Sequence, residues 1–188
     1  MTQPLKASLG TMMQQSAYVL ARPSVDSFER FERSGGAPQA FTYVAVVALV
    51  AGVFALLFNL GNAPFWAFLE RSLVLVAGFA TFAGVAYAFG RTQGGTGTFN
   101  EVAYTLSLSY VPIALLVTAG TIVLTIIPIL GWVLIPVWLL LGWVAQAFYA
   151  YVGLQGSLNL RGSSNVVIVM AVSALAAWFV QLIVGWIL

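Results

Sequence analysis

The sequence predicts an all-α membrane protein: a bundle of five transmembrane helices with an amphipathic N-terminal segment. Three observations lead there. Only 6% of the 188 residues are charged and 61% are hydrophobic, with a mean hydropathy of +0.99. A soluble domain carries about 25% charged residues, so this chain has too little charge to solvate a globular surface. Five apolar stretches are each long enough to cross a hydrocarbon core, which takes about 20 helical residues. Finally, the cations divide unevenly between the two ends of those stretches.

The chain takes up its elements in order. Residues 1–40 form an amphipathic N-terminal region, expected to be cytoplasmic. Within it, residues 5–20 can be drawn as a helix with Leu5, Leu9, Met12, Ser16, Val19 and Leu20 on one face. Lys6, Thr11, Gln14, Gln15 and Tyr18 fall elsewhere. Arg22-Pro23 breaks this helix, because proline disfavours helical backbone in the residue before it. Ser24 is the expected N-cap of a second short helix, Val25–Arg33, with Asp26 in its first turn. Val25, Phe28 and Phe31 line one side of it, and Glu29, Arg30, Glu32 and Arg33 the other. Gly35-Gly36 ends it. The favoured reading of the pair is interfacial, with Phe28 and Phe31 at the acyl boundary and the charges among headgroups. The alternatives are a solvated tail or helices packed on the bundle.

Residues 41–188 form the membrane domain. The first span, Phe41–Leu60, carries no charge. No secretory signal precedes it in the residues given, so it is expected to be retained as a signal anchor. Gly61-Asn62-Ala63-Pro64 is a turn with proline at a helix start. Phe65, Trp66 and Phe68 make an aromatic interface, and Glu70-Arg71 follow as an interface anchor rather than an ion pair. The second span is Ser72–Phe89. A glycine-rich turn, Arg91 to Thr98, leads into the third span, Val102–Ile127, which Pro112 interrupts. Pro128 to Gly131 is so short that the third and fourth spans must be antiparallel neighbours. Their combined length, about 50 residues, argues against a re-entrant pair. The fourth span is Trp132–Leu154, with Pro136 in its first turns. After a polar loop at 155–165, the fifth is Val166–Leu188.

With five spans, Lys6, Arg22, Arg30, Arg33, Arg91 and Arg161 share one side and Arg71 alone lies on the other. Cytoplasmic loops carry the excess of Lys and Arg, so the N-terminus is expected inside and the C-terminus outside.

Small residues on two helices mark packing faces: Ala77, Thr81, Gly84 and Ala88 on one, and Ala174, Ala177 and Gly185, with Gln181 between, on the other. Such faces let helix backbones approach closely in lipid. Internal packing is the favoured reading over a dimer interface. Gln146 and Gln181 lie well inside their spans, and a buried amide in hydrocarbon needs a partner. They are read as a polar pair that bonds to each other or to backbone, with substrate contact as the sharper alternative.

Catalytic chemistry has little to stand on. The chain has no Cys and no His, which removes thiol redox chemistry, Cys/His metal sites and histidine-based triads. Its only Asp is Asp26, outside the spans, so a paired-aspartate site is excluded. Gly94-Gly95-Thr96-Gly97 lacks the Lys-Ser/Thr ending of a phosphate loop. No basic cluster suggests nucleic acid. The expectation is a protein that is not an enzyme and takes no cofactor.

The candidate site is the stretch Gly94–Pro112. The glycines are expected to supply positive-φ backbone in a tight loop. A sharper reading has Arg91, Gly94, Gly95 and Gly97 approach a phosphate headgroup. Glu101 either favours the helix N-terminus through its dipole or pairs with Arg91 or Arg161. Tyr104 lies near the interface. Tyr110, deeper and beside Pro112, is the better functional candidate of the two.

The same stretch carries a family resemblance. A Gly94-Gly95-x-Gly97 turn, then Tyr104 and Tyr110-Val111-Pro112 in the third span, resembles the Yip1 domain family. The Arg22-Pro23-Ser24 to Phe28 prelude and the Ile127-Pro128-x-x-Gly131 turn are similar to its bacterial members. The resemblance covers residues 15–188. It implies five spans, a cytoplasmic N-terminus and a non-enzymatic role as a membrane adaptor or bilayer-organising protein. The implied partners are membrane lipids and either a second copy or another membrane protein. Eukaryotic members bind Rab-type GTPases and act in vesicle traffic. This chain has a short N-terminal region and lacks their acidic Asp-Leu-Tyr-Gly-Pro-type segment, a departure that weakens the case for GTPase binding. The expected location is a bacterial plasma membrane or, in a eukaryote, the endoplasmic reticulum or Golgi. A small transporter, channel or permeability factor is the alternative, supported by Pro112, Pro136 and the Gln146/Gln181 pair.

Overall fold

A computed structural model describes residues 7–127, 129–160 and 162–188. Lys6, Pro128 and Arg161, which enter the charge count and the third turn, lie outside the described residues, as does the start of the helix expected from residue 5. Seven helices make up the fold, and no strand occurs among the described residues. They are α1 (Leu9–Ala21), α2 (Val25–Glu29), α3 (Ala37–Phe58), α4 (Pro64–Thr92), α5 (Phe99–Thr125), α6 (Leu130–Ser157) and α7 (Ser163–Ile187). The last five are long and apolar enough to cross a membrane.

Each span starts before the residue expected for it; α4 and α6 also run past their expected ends, whereas α3, α5 and α7 stop one or two residues short. The largest difference is α4, which starts at Pro64 rather than Ser72. Ala63 takes a left-handed conformation, φ 49°, and the proline ring is preset for the first helical position. Phe65, Trp66, Phe68, Glu70 and Arg71 therefore belong to the first turns of the helix. Glu70 and Arg71 are exposed and make no ion pair among the described residues. Hydropathy alone trims such ends because it weighs flanking polar residues against the span.

The spans form two antiparallel hairpins, α3–α4 and α5–α6, with α7 packed along α4. The centre is the first half of α5. Eight consecutive residues, Val102 to Ser109, are buried around the full helix. Only a helix surrounded on all sides buries such a run, and here α1, α3, α4 and α6 surround it. The second half of α5 and most of α6 lie at the bundle's edge, where Trp132, Trp143 and Leu140 are exposed.

The N-terminal helices are part of this core, which corrects the interfacial reading. α1 packs against α5 and α2 against α6. Met12, Val19 and Phe28 are fully buried. Phe28 does not reach an acyl boundary: its ring packs where a side chain at Gly153 would begin. Phe31 is half-buried, packing on the same core and edge-to-face on Tyr18 at 5.4 Å. Ser8 and Ser24 cap the two helices, each accepting from the backbone N–H three residues on. α2 stops at Glu29, and turns carry the chain on to Ser34. Glu32, expected on the polar side, is buried as well.

The small-residue faces are rotated from those expected. On α4 the buried line is Gly78, Phe79, Ala83, Ala86 and Gly90. Ala77, Thr81 and Gly84 are half-buried and Ala88 is exposed. On α7, Ala177 is buried with Val169 and Ser173, while Ala174 and Gly185 face outward. Gly78 is the point of closest approach, with the Gln181 amide lying directly over it.

Candidate functional site

The Gly94–Pro112 stretch is built as a stop and a restart. α4 ends in a Schellman motif: Gly95 N–H donates to the Gly90 carbonyl at 2.9 Å and Gly94 N–H to that of Arg91 at 3.3 Å. Gly94 takes the left-handed position, φ +89°, which glycine adopts without steric cost. Gly95 and Gly97 have no positive φ, so the expectation holds for one glycine of three. Their role is close approach. A Cβ on Gly95 would lie 2.8 Å from the Gly90 carbonyl oxygen, and one on Gly97 would overlap the Ser157 carbonyl oxygen. Thr96 N–H then donates to the Leu158 carbonyl at 2.9 Å. The turn is thus pinned to the end of α6, and the surface its glycines expose is met by the protein's own backbone. Arg91 stands apart: its side chain is exposed and makes no hydrogen bond among the described residues.

The restart is a capping box. Thr98 N–H donates to Glu101 Oε2 at 2.7 Å, and Glu101 N–H returns to Thr98 Oγ1 at 3.3 Å. The other carboxylate oxygen takes Arg33 Nε at 3.2 Å. Glu101 therefore pairs with Arg33 across the bundle rather than with Arg91. Its position beside the helix N-terminus agrees with the dipole reading. Arg33 also reaches Glu32 at 3.4 Å. Arg33 is 80% exposed, so this link contributes little beside the capping box itself. Burial, with Glu101 nearby, raises the Glu32 pKa above its ordinary value. Asn100, a residue the sequence reading passed over, caps α3 from a distance: its Oδ1 accepts from Ala37 N–H at 3.0 Å.

Three tyrosines hold α1 to the spans. Tyr104, fully buried, donates to Gln15 Oε1 at 2.6 Å, with its ring against Gly35. Tyr43 and Ser16 share a hydrogen bond of 3.2 Å, and Tyr149 donates to the Leu20 carbonyl at 2.7 Å. A hydrogen bond in a low-dielectric site is electrostatically stronger than in water, and an orphaned partner there is costly. Gln15 was expected on the polar face of α1. It is buried because Tyr104, 89 residues on, satisfies it.

Three deeper polar side chains each serve a backbone carbonyl, whereas the buried Thr105 hydroxyl has no partner among the described residues. Tyr110 O–H donates to Leu75 at 3.3 Å. Gln146 Nε2 donates to the Tyr110 carbonyl at 3.2 Å, and Gln181 Nε2 to that of Val74 at 3.5 Å. The two glutamines do not form a pair. Both are half-buried and sit on different helix contacts: Gln146 ties α6 to α5, Gln181 ties α7 to α4. α5 continues as one helix through Pro112, and α6 through Pro136.

On the outer side of the α1–α2 pair, Arg22 and Arg30 converge on Tyr18. Their guanidinium carbons lie 5.2 and 5.4 Å from its ring centre, and each donates Nη1–H to its hydroxyl at 3.4 Å. The Arg22 hydrogen bond, with Arg30 acting the same way, draws the Tyr18 phenol below its usual pKa. Among the described residues neither arginine makes an ion pair. No group of three or more His, Cys, Asp or Glu that could hold a metal occurs among them either.

Compared with protein-family models, curated proteins and solved structures, the chain has no match in any of the three.

Proposed function

We propose that this chain is a membrane-embedded adaptor or bilayer-organising protein, non-enzymatic and similar in plan to the Yip1 domain family. Its N-terminal helix pair is a fixed platform on the cytoplasmic end of the bundle. The six-to-one cation bias supports that orientation. One observation carries the reading: three polar groups that a carrier would turn toward a solute are already spent on holding helices together. Tyr110, Gln146 and Gln181 each donate to a backbone carbonyl of a neighbouring span. Directly before Tyr110, α5 is buried for eight consecutive residues. A bundle so closed suits a scaffold that recruits lipid, a second copy or another membrane protein through its rims.

The test pairs flux with cross-linking. Purified protein in liposomes should carry none of a panel of ions and small solutes above empty vesicles. A photo-cross-linker at exposed Thr96 or Glu29 should trap lipid or a protein neighbour in native membranes. Flux that Gln146→Leu abolishes would overturn the adaptor reading in favour of a transporter.

A further inference from the structure

We propose that the junction of the α1–α2 turn with the α5–α6 hairpin is a binding site for an anionic phospholipid. One acyl chain would lie in the α5–α6 groove and the phosphate on Arg22 and Arg30. The inference rests on the lipid side of the adaptor reading and gives it a location.

The groove has a volume of about 360 Å3 and almost wholly apolar walls, among them Leu20, Ile113, Val117, Trp138, Ala145 and Tyr149. It runs along the seam of α5 and α6, which stay in close contact beneath it: at Gly142 the Val117 side chain fills the place a Cβ would take. Its polar atoms are already used: Trp138 Nε1–H donates to the Val117 carbonyl at 3.0 Å, and Tyr149 O–H to that of Leu20. What remains suits a hydrocarbon chain.

Charge decides which lipid. Leu20, at the groove's rim, is followed two residues later by Arg22, no more than about 7 Å along the chain. Arg22 ends α1, and the turn through Pro23 brings Arg30 back to the same phenol. A guanidinium has five N–H donors in a planar fork that matches phosphate. Each of these two spends one, on Tyr18, over a distance of 3.4 Å. Asp26 and Glu29 on α2 form no ion pair with them. Two like charges held at one ring repel unless an anion sits between them. A second copy in the groove would bring another like-charged rim against the first, which disfavours it.

The test uses Trp138 as a reporter in full-length protein, with the other five tryptophans replaced by phenylalanine. The protein is placed in nanodiscs of phosphatidylcholine. A minority fraction of the lipid is acyl-brominated, either phosphatidylglycerol or phosphatidylcholine. Brominated phosphatidylglycerol should quench Trp138 well beyond brominated phosphatidylcholine at the same fraction, as an enrichment on the order of 10-fold for two arginines near a surface. Arg22→Gln with Arg30→Gln should erase that preference and leave quenching by phosphatidylcholine unchanged, which shows the groove intact. Added inorganic phosphate should not displace the lipid. Equal quenching by both lipids, a preference that survives the double substitution, or displacement by phosphate would each overturn the site. So would shielding of Trp138 from both lipids, the signature of a protein occupant. Any of these with flux still absent would remove this site and leave the adaptor reading standing.

Discussion

Phe28→Ala is expected to release α2 from the bundle. The Phe28 ring is fully buried against Gly153, where α6 offers no side chain of its own. Truncating a buried aromatic costs about 3–5 kcal/mol when the cavity cannot collapse. Here that cost falls on a five-residue helix, α2, with few other anchors. The opening of α2 should therefore rise by roughly a hundredfold or more, since ~1.4 kcal/mol is a factor of ten in an opening equilibrium. Limited trypsinolysis reads this directly. Cleavage after Arg30 and Arg33 should accelerate sharply in Phe28→Ala, while the Arg22-Pro23 bond resists in both proteins. An unchanged rate would mean that α2 is not held by this ring.

Gly97→Ala should be the most damaging of the single-methyl additions. The new Cβ would overlap the Ser157 carbonyl oxygen and lie 3.2 Å from the Leu158 Cα. Both obstacles are backbone, so neither can rotate away. The turn must lift off α6, which also strains the Thr96 to Leu158 hydrogen bond. Overpacking of this kind costs at least ~1–3 kcal/mol. Two other glycines set the scale. Gly94→Ala meets open space but keeps φ +89°, a conformation that costs an L-residue about 1–2 kcal/mol. Gly84→Ala meets nothing within 4 Å inside a helix, and should stabilise by about 0.5–1 kcal/mol. Thermal unfolding in detergent should rank them Gly97→Ala, Gly94→Ala, wild type, Gly84→Ala, from least to most stable. A Gly97→Ala protein as stable as wild type would contradict the close packing of the turn on α6.

Those contrasts mark how far the sequence could be read. The five spans were legible because hydrocarbon imposes one strong rule, a long uncharged helix, and because Pro64, Gly94 and Gly131 punctuate it. The cap at Ser24 was legible because its partner lies three residues away, whereas at Glu101 only the dipole was read and the capping box with Thr98 was not. Rotation of each helix about its own axis was not. Lipid tails are as apolar as a neighbouring span, so the pattern of small residues does not say which face meets protein. Hence α4 buries Gly78 and Ala83 rather than Ala88. The docking of α1 was hidden in a different way. An amphipathic helix looks alike whether its apolar side meets acyl chains or a bundle. The residues that decide the matter, Gln15 and Ser16, are polar and find their partners on α5 and α3. Likewise Glu101 found Arg33, 68 residues earlier, rather than the nearer Arg91.

The central claim is that α1 is a structural member of the bundle, keyed into α5 by the Tyr104–Gln15 hydrogen bond of 2.6 Å. A double-mutant cycle with Tyr104→Phe and Gln15→Ala, read by unfolding in a bilayer mimetic, tests it directly. Groups in buried contact couple by about 0.5–3 kcal/mol, whereas separated sites add within about 0.3–0.5 kcal/mol. A docked α1 predicts coupling of 1 kcal/mol or more, to order of magnitude. Simple additivity would put α1 out in the interface and contradict the account.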